Sequence, residues 1–157
     1  MQNFINTPSL NNLPKVVPIF PLTGSILLPG TELPLHIFEE RYKKMFSESL
    51  KGERIIGMIQ PLESPVEKEL YKIGCIGRIV AFKETIDGRY FFTLNGICRF
   101  ELVNEVYSNK NFRSIEVNYD NFVNDYACPF EKFRYCCATS NGGKWGEYYP
   151  DLFDDRS

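Results

Sequence analysis

The stretch FPLTGSILLPGTELPLHIFEERYKKMF, which runs from Phe20 to Phe46, changes its hydrophobic period in the middle. In TELPLHIF, the side chains of Leu33, Leu35 and Ile37 alternate with other residues, and this period of two predicts a strand with one apolar face. The preceding segment, GSILLPG, begins and ends with turn-forming residues and predicts a connection. The stretch therefore contains a turn that leads into a strand.

A helix is predicted directly after this strand. Apolar residues then recur at a spacing of three and four, which is typical of one helix face; they are Phe38, Tyr42, Met45, Phe46 and Leu50. Gly52 is placed to end the helix. Glu39 with Lys43 and Glu40 with Lys44 have the i,i+4 spacing of helical ion pairs, so a charged outer face is expected.

The rest of the sequence up to about residue 120 predicts bent strands. KVVPIFPL predicts an edge strand, because proline lacks the N–H that a central strand donates. Further strands are predicted for ERIIGMIQ, YKIGCIGRIVAFKETI, RYFFTLNGICRFELVNEVY and FRSIEVNYD, with a hairpin turn at Asp87–Gly88. Strands that bend at glycine can curl and cover their own edges. The predicted fold is mainly β, with an early α-helix.

Composition and charge exclude several classes of protein. The 157 residues suffice for one domain, and a formal net charge of −2 without a basic block argues against a nucleic-acid partner. The opening MQNFINTPSLNNLPK lacks the features of a signal peptide or membrane span, so we expect a cytoplasmic protein without a membrane partner. An odd number of cysteines is expected to stay as thiols; they are Cys75, Cys98, Cys128, Cys136 and Cys137.

Little in the sequence supports a catalytic or metal site. The single histidine, His36, faces away from Leu35 and Ile37 on the predicted strand, where a partly exposed or locally bonded ring is expected. No Cys-x-x-Cys pair indicates zinc, and NGGKWG lacks the spacing of a phosphate loop. The adjacent Cys136–Cys137 leaves a redox or metal role as an alternative. We predict no catalytic residue, no metal and no cofactor.

The apolar loop TGSILLPG is the strongest candidate for a binding surface. It carries Ile26, Leu27 and Leu28 between Gly24 and the Pro29–Gly30 pair. Either these side chains fold inward as core, or some of them form an apolar patch for another protein. An extended partner could also pair with an uncovered strand edge. Both modes of binding need no chemistry.

Two segments resemble one protein family. The residues from Pro18 to Met45 follow the pattern P-[LI]-F-P-L, L-[FL]-P-G and L-P-L-H-I-F-E-x-R-Y-x-x-M of the N-terminal, substrate-binding domain of the ATP-dependent Lon protease. The segment GCIGRIVAFKETIDGRYFFTLNGICRFEL resembles its second signature, a D-G hairpin followed by G-x-x-R-F at Gly96, Arg99 and Phe100. Together the two matches cover roughly residues 15–120.

The resemblance implies a PUA-like pseudo-barrel of bent antiparallel strands with one early helix. It also implies a role, since this domain of the protease engages unfolded protein substrates and helps the hexamer to assemble. Stand-alone bacterial proteins with only this domain are similar, especially through LPLHIFEERYKKM. The sequence contains neither the ATPase module nor the Ser–Lys protease module, so we expect it not to hydrolyse ATP or peptides.

Three regions are predicted along the chain. They are a flexible N-terminal arm at 1–13, a Lon N-terminal-like β-barrel domain at 14–123, and a divergent tail at 124–157 that could be poorly ordered. The tail lacks the amphipathic helical pattern that follows the barrel in the family. A divergent end, a truncation and a shift of reading frame are the three explanations left open.

The predicted function is the binding of unfolded or extended polypeptides by a non-catalytic module, with a protease or a chaperone as a candidate partner. Three residues are predicted to supply apolar contacts and three to supply polar contacts; they are Leu27, Leu28, Pro29, Glu40, Arg41 and Lys44. Two alternatives stay open. One is RNA binding, because PUA-like barrels elsewhere bind RNA; the other is a truncated gene product without activity. The oligomeric state is not predicted.

Overall fold

The computed structural model describes residues 10–63 and 69–127. Single helical turns of the 3₁₀ type lie at Leu10–Asn12 and Asp120–Phe122. The main elements are β1 Val16–Pro21, β2 Glu32–Ile37, α1 Glu40–Lys51, β3 Ile55–Ile59, β4 Ile73–Glu84, β5 Tyr90–Val106, β6 Ser114–Asn118 and α2 Val123–Ala127. Each predicted strand is present, and so is the early helix. The predictions for residues 1–9 and 128–157, including the tail cysteines and NGGKWG, lie outside the described residues.

The strands form one ring-like sheet. Starting from β5, hydrogen-bonded neighbours run through β4, β3, β1 and β6 and return to β5, while β2 pairs with the first part of β5. This closure is possible because β5 is 17 residues long and serves different partners along its length. Register shifts between Ile76 and Gly77, and between Ile79 and Ala81, bend β4 along β5. The predicted fold class is confirmed, with one parallel pair, β1 with β3.

The prediction that β1 is an edge strand is wrong. Its first three residues, through Pro18, pair antiparallel with β6, and its last three, from Ile19 to Pro21, pair parallel with β3. Pro18 therefore ends the pairing with β6 and Pro21 ends the pairing with β3, so the N–H that each proline lacks removes little of the strand pairing. Two half-ladders on opposite edges allow a proline-containing strand to lie inside the sheet.

Helix α1 packs its apolar face on a cluster that we call the helix core, formed by residues from α1, β1, β2, β3, β4 and β5 with a few loop residues. Met45 and Phe46 are buried, and the Phe46 ring lies 4.7 Å from the Phe92 ring and 4.9 Å from the Tyr90 ring. The expected contribution of Phe38 is wrong, because this side chain is 61% exposed. The backbone at Glu39 is still extended, so Phe38 precedes the helix and does not share its face.

The predicted i,i+4 ion pairs of α1 are replaced by shorter-range pairs. Glu39 binds Arg41 at 3.0 Å, and Glu40 binds Lys43 at 2.9 Å. Since the helix begins at Glu40, Glu39 lacks the helical geometry that would place it over Lys43. Gly52 ends the helix as predicted, and its N–H donates to the Ser49 carbonyl at 3.2 Å.

A second cluster, the ring core, takes side chains from all five strands of the ring, including Val17, Ile76, Phe100 and Ile115. Gly74 makes room for the Phe100 ring, because a Cβ atom there would lie 2.5 Å from Cζ. Leu13 is also buried in this cluster. The predicted domain boundaries at 13/14 and 123/124 stay predictions.

Candidate functional site

The loop between β1 and β2 is shaped by a tight turn over Leu28–Thr31. The Thr31 N–H donates to the Leu28 carbonyl at 3.1 Å, and the Thr31 hydroxyl donates to the same oxygen at 2.8 Å. Pro29 supplies the fixed φ of the first central position, and Gly30 has the positive φ of 76° that the second central position of a type II turn needs. The sequence LPGT therefore fixes the local path of the loop.

Two hydrogen bonds attach this turn to β5. The Gly30 N–H donates to the Gly96 carbonyl at 2.9 Å, and the Gly96 N–H donates to the Thr31 carbonyl at 2.8 Å. A Cβ atom at residue 96 would lie only 2.0 Å from the Leu28 carbonyl oxygen. Glycine is therefore required at residue 96 for this approach of two backbones.

Within the loop, consecutive side chains have opposite environments. Leu27 is only 4% exposed and packs in the helix core, so it anchors the loop. Ile26 is 68% exposed and Leu28 is 52% exposed. The loop thus holds two large apolar side chains in water while a third fixes its position, and exposed apolar groups of this kind are typical of interaction sites when they form a patch.

These side chains form one wall of a groove of about 480 Å³. Much of the remaining lining comes from the end of β3 and from the chain that leads into β4, where Tyr71 and Ile73 are each about half-exposed. The full lining is Ser25, Ile26, Leu27, Leu28, Met58, Ile59, Gln60, Tyr71, Lys72, Ile73, Gly74, Cys75 and Arg99. We call this feature the loop groove. Its volume matches that of sites that hold a few side chains of a ligand.

The floor of the loop groove is chemically inert. Met58 and Cys75 are buried there. Burial raises the pKa of the Cys75 thiol well above its ordinary value, so the thiol stays protonated and is a poor nucleophile. The expectation that Cys75 and Cys98 are small buried hydrophobic residues is confirmed, since both are buried and free.

One ion pair lies at the edge of the loop groove. The Arg99 guanidinium donates to Asp125 from Nε at 2.7 Å and from Nη2 at 2.8 Å, and the Arg99 backbone N–H donates to Asp125 at 3.1 Å. Burial alone would raise the pKa of Asp125, but the hydrogen bonds from Arg99 outweigh it and lower the pKa. The Phe122 ring lies 4.8 Å from the guanidinium carbon. Arg99 is thus held in one orientation.

The structure brings together only part of the predicted binding set. Leu27 and Leu28 line the loop groove, while Pro29 lies in the adjacent turn. The three predicted polar residues lie on α1 and are absent from the groove lining among the described residues; they are Glu40, Arg41 and Lys44. Arg41 stacks on Tyr42, with 4.6 Å between the guanidinium carbon and the ring centre. Binding by any of the six stays a prediction.

Sequence reasoning did not identify the part of the groove lining that lies outside the loop. Ile73 is the first residue of β4, and its place depends on pairing with Glu101 of β5. Tyr71 lies two residues earlier, and its N–H donates to the Gln60 carbonyl at 3.0 Å. A local signal existed in the alternation of these two apolar residues with Lys72 and Gly74, but no local pattern shows what they face. Arg99 appeared only as part of a fold signature.

Within 10–63 and 69–127, no group of three His, Cys, Asp or Glu side chains is placed to hold a metal ion. His36 is half-buried, and its ring stacks on Phe91 at 4.2 Å with an interplanar angle of 7°. In the same part of the chain, no helix has the length and apolar character needed to cross a membrane.

The family model and the similar known sequences all concern Lon proteases. Residues 16–133 match the model of the ATP-dependent protease La (LON) substrate-binding domain. The Lon protease of Flavobacterium johnsoniae is 30% identical over 114 residues, and Lon protease 2 of Myxococcus xanthus is 28% identical over 96 residues. These matches cover 69% and 59% of this chain, which spans only 14% and 12% of the two proteases.

Solved structures agree with the sequence matches. The Lon N-terminal domain protein from Xanthomonas campestris superposes with a TM-score of 0.56 at 27% identity, over 66% of this chain and 59% of that one. The N-terminal domain of the Mycobacterium avium complex Lon protease gives the same TM-score of 0.56 at 19% identity, over 67% and 54%, and shows the fold alone. The chain therefore belongs to the family of the Lon protease substrate-binding domain.

Proposed function

We propose that this chain is a non-catalytic module that binds unfolded or extended polypeptide segments in the loop groove. The observation that carries the proposal is the pair of exposed side chains Ile26 and Leu28 on a loop fixed by buried Leu27. Large contiguous apolar patches are rare on the surface of folded proteins, whereas unfolded segments expose many large apolar side chains. A rigid apolar groove selects for such segments without recognising one sequence.

Two further features support the proposal. Tyr71 and Ile73 also line the groove and enlarge the apolar surface that a bound segment would cover. The turn at Leu28–Thr31 is attached to β5 through Gly96, so little conformational entropy would be lost by the loop on binding. Membership of the family of the Lon protease substrate-binding domain is consistent with the proposed binding of polypeptides.

Binding of a labelled, permanently unfolded protein tests the proposal, with its folded counterpart as reference. The double variant Ile26→Ser/Leu28→Ser removes the apolar wall but keeps Leu27, so the fold should remain. We expect roughly tenfold weaker binding of the unfolded protein, because two apolar contacts are lost. The matched control is Ile86→Ser, which removes an exposed isoleucine from the β4–β5 hairpin turn.

Circular dichroism on the same samples establishes that each variant is folded. Selective binding of the unfolded form by the wild type and Ile86→Ser, with loss in the double variant, supports the loop groove as the site. Equal binding by all three proteins would exclude the groove. No binding by a folded wild type would exclude the function itself.

The polar part of the predicted site is a separate proposal. Glu40, Arg41 and Lys44 lie on α1, outside the loop groove, so a segment that touched both would have to extend beyond it. The triple variant to alanine, assayed with the same unfolded probe, tests their contribution. We also propose a cytoplasmic location and delivery of the bound segment to a protease or a chaperone.

A further inference from the structure

Of the described residues that line the loop groove, only Gln60 carries a side-chain amide. Its backbone follows directly after β3 and is held by hydrogen bonds from two other parts of the chain. The Ile59 carbonyl accepts from the Leu22 N–H at 3.2 Å, and the Gln60 carbonyl accepts from the Tyr71 N–H at 3.0 Å. The amide is therefore carried by a fixed part of the sheet, which limits the entropy that binding would cost.

The Gln60 side chain reaches from the end of β3 to the loop between β1 and β2. Its Nε2 atom lies 3.5 Å from the Ser25 carbonyl oxygen, and both residues line the loop groove. Ser25 directly precedes Ile26, whose side chain is exposed. The contact therefore places the amide within the groove lining, one residue away from the apolar part of the loop.

Most of the hydrogen-bonding capacity of this amide is unused. The contact of Nε2 with Ser25 is longer than the usual upper limit of about 3.2 Å, so it is weak. Within the described part of the chain, no group donates to the Gln60 Oε1 atom, which is also not buried. A carboxamide offers two N–H donors and an oxygen with two lone pairs. At least one donor and one acceptor are thus available to a ligand.

An extended polypeptide needs such a group when it enters an apolar groove. It brings peptide N–H and C=O groups along with its side chains, and each of them loses water on binding and weakens the complex unless it finds a new partner. The Gln60 carboxamide has the same donor and acceptor as a peptide group, so it can donate to a carbonyl and accept from an N–H. These bonds do not depend on which side chains the segment carries.

We propose that Gln60 hydrogen-bonds the main chain of the polypeptide segment held in the loop groove, while Ile26 and Leu28 contact the side chains of that segment. The peptide groups of helices and sheets already have partners, whereas those of an unfolded segment are free. The Gln60 contact would therefore select segments with an available main chain, independently of their sequence. This inference rests on the proposed function and adds the contact that distinguishes unfolded from folded segments.

A set of fluorescent peptides with one apolar sequence of Leu and Phe residues tests this contact. The parent peptide is unmodified, and in each other member one peptide nitrogen is methylated, which removes a single N–H donor. With the wild type, we expect methylation at one position to weaken binding by about threefold to tenfold, as for the loss of one hydrogen bond. Methylation at positions away from this contact should have a smaller effect.

The variant Gln60→Met keeps a side chain of similar length and removes the amide. It should bind the parent peptide about threefold to tenfold more weakly than the wild type does. The peptide methylated at the sensitive position should bind both proteins equally, because its contact with residue 60 is already lost. The matched control, Asn104→Met, replaces an exposed amide on β5 outside the groove lining and should bind every peptide as the wild type does. Circular dichroism establishes that each variant is folded.

Equal binding of the parent peptide by the wild type and a folded Gln60→Met would overturn the assignment to Gln60 and leave the proposed function intact. An equal loss for all peptides in Gln60→Met, methylated or not, would show that residue 60 only shapes the groove, and would overturn the main-chain contact. The NMR signals of the Gln60 side-chain amide in the wild type provide a test that needs no variant. They should shift when the parent peptide is added, and unchanged signals at saturation would overturn the proposal. No binding of any peptide by the folded wild type would contradict the proposed function.

Discussion

Asp125 accepts three hydrogen bonds from Arg99, two from the guanidinium and one from the backbone N–H. The Asp125 side chain is only 7% exposed, so its carboxylate depends on these donors in place of water. The pair joins α2 to β5 at the edge of the loop groove. It therefore links the stability of the C-terminal part of the ring to the position of a groove cation.

Asp125→Asn should lower the free energy of unfolding at pH 7 by about 1–3 kcal/mol, because charge-assisted hydrogen bonds are weakened and Arg99 loses its counter-charge. Urea unfolding measures the difference. The matched control, Glu116→Gln, changes an exposed carboxylate on β6 and should have little effect. A stability equal to that of the wild type would show that solvent replaces the Asp125 carboxylate at no cost.

The same pair should make stability depend on pH. Because Arg99 lowers the pKa of Asp125 in the folded protein, the contribution is complete above the pKa of the unfolded chain, near 3.8, and is lost as pH falls through the lower folded value. The difference in unfolding free energy between wild type and Asp125→Asn should shrink between about pH 5 and pH 2. Urea unfolding at several pH values checks this. If the difference in unfolding free energy between the wild type and Asp125→Asn grew as the pH fell, the pKa of Asp125 would be raised in the folded protein, which contradicts the prediction.

Gly96→Ala should destabilise the protein severely, by more than about 3 kcal/mol, because its methyl group would meet the Leu28 carbonyl oxygen and separate the turn from β5. The informative control is Gly24→Ala. Gly24 has open space around its Cβ position but a positive φ of 80°, so only backbone strain of about 1 kcal/mol is expected. Thermal unfolding of both variants separates steric contact from backbone strain. Equal losses would mean that the turn does not depend on close approach to β5.

Two adjacent leucines should respond in opposite ways to truncation. Leu27→Ala should cost about 2–5 kcal/mol of stability, because a buried side chain leaves a cavity in the helix core. Leu28→Ala should change stability by less than about 0.5 kcal/mol, because its side chain is half in water. Urea unfolding compares the stabilities of the two variants. Binding of the unfolded probe then tests whether Leu28, and not Leu27, contacts the bound polypeptide. A larger loss of stability in Leu28→Ala than in Leu27→Ala would contradict the burial of Leu27 in the helix core.

Most of the fold was predictable because its signals are local. The Asp87–Gly88 pair specifies a hairpin through its own backbone preferences, and Gly88 has the positive φ of 76° that such a turn uses. Met45 and Phe46 identify the buried helix face through their spacing alone. The interior position of β1 was not predictable, since the pairing of Ile19 with Gly57 joins residues far apart in the sequence.

The residues of the candidate site likewise fall into those that local sequence signals predict and those that depend on non-local pairing. Leu28 could be selected from the sequence because the turn that exposes it is encoded by the four residues LPGT. Tyr71 and Ile73 could not, because their place in the groove lining depends on non-local pairing, of Ile73 with Glu101 and of the Tyr71 N–H with the Gln60 carbonyl. The role of Arg99 depends on Asp125, which lies 26 residues later in the chain. Local patterns thus indicate the loop residues of the groove lining but not the residues from elsewhere in the chain.

Cys75 and Cys98 should resist alkylation in the folded protein. Burial raises the pKa of both thiols, that of Cys98 to about 12, so both stay protonated at pH 8 and react slowly. Iodoacetamide labelling followed by peptide mass spectrometry should find both unmodified in buffer and fully modified in urea. An Ile86→Cys variant provides an exposed thiol in the hairpin turn as a reference for rapid labelling. If Cys75 were labelled as fast as that reference in the folded protein, the floor of the loop groove would be open to solvent, and an apolar ligand would lose the dry surface on which the proposed binding depends.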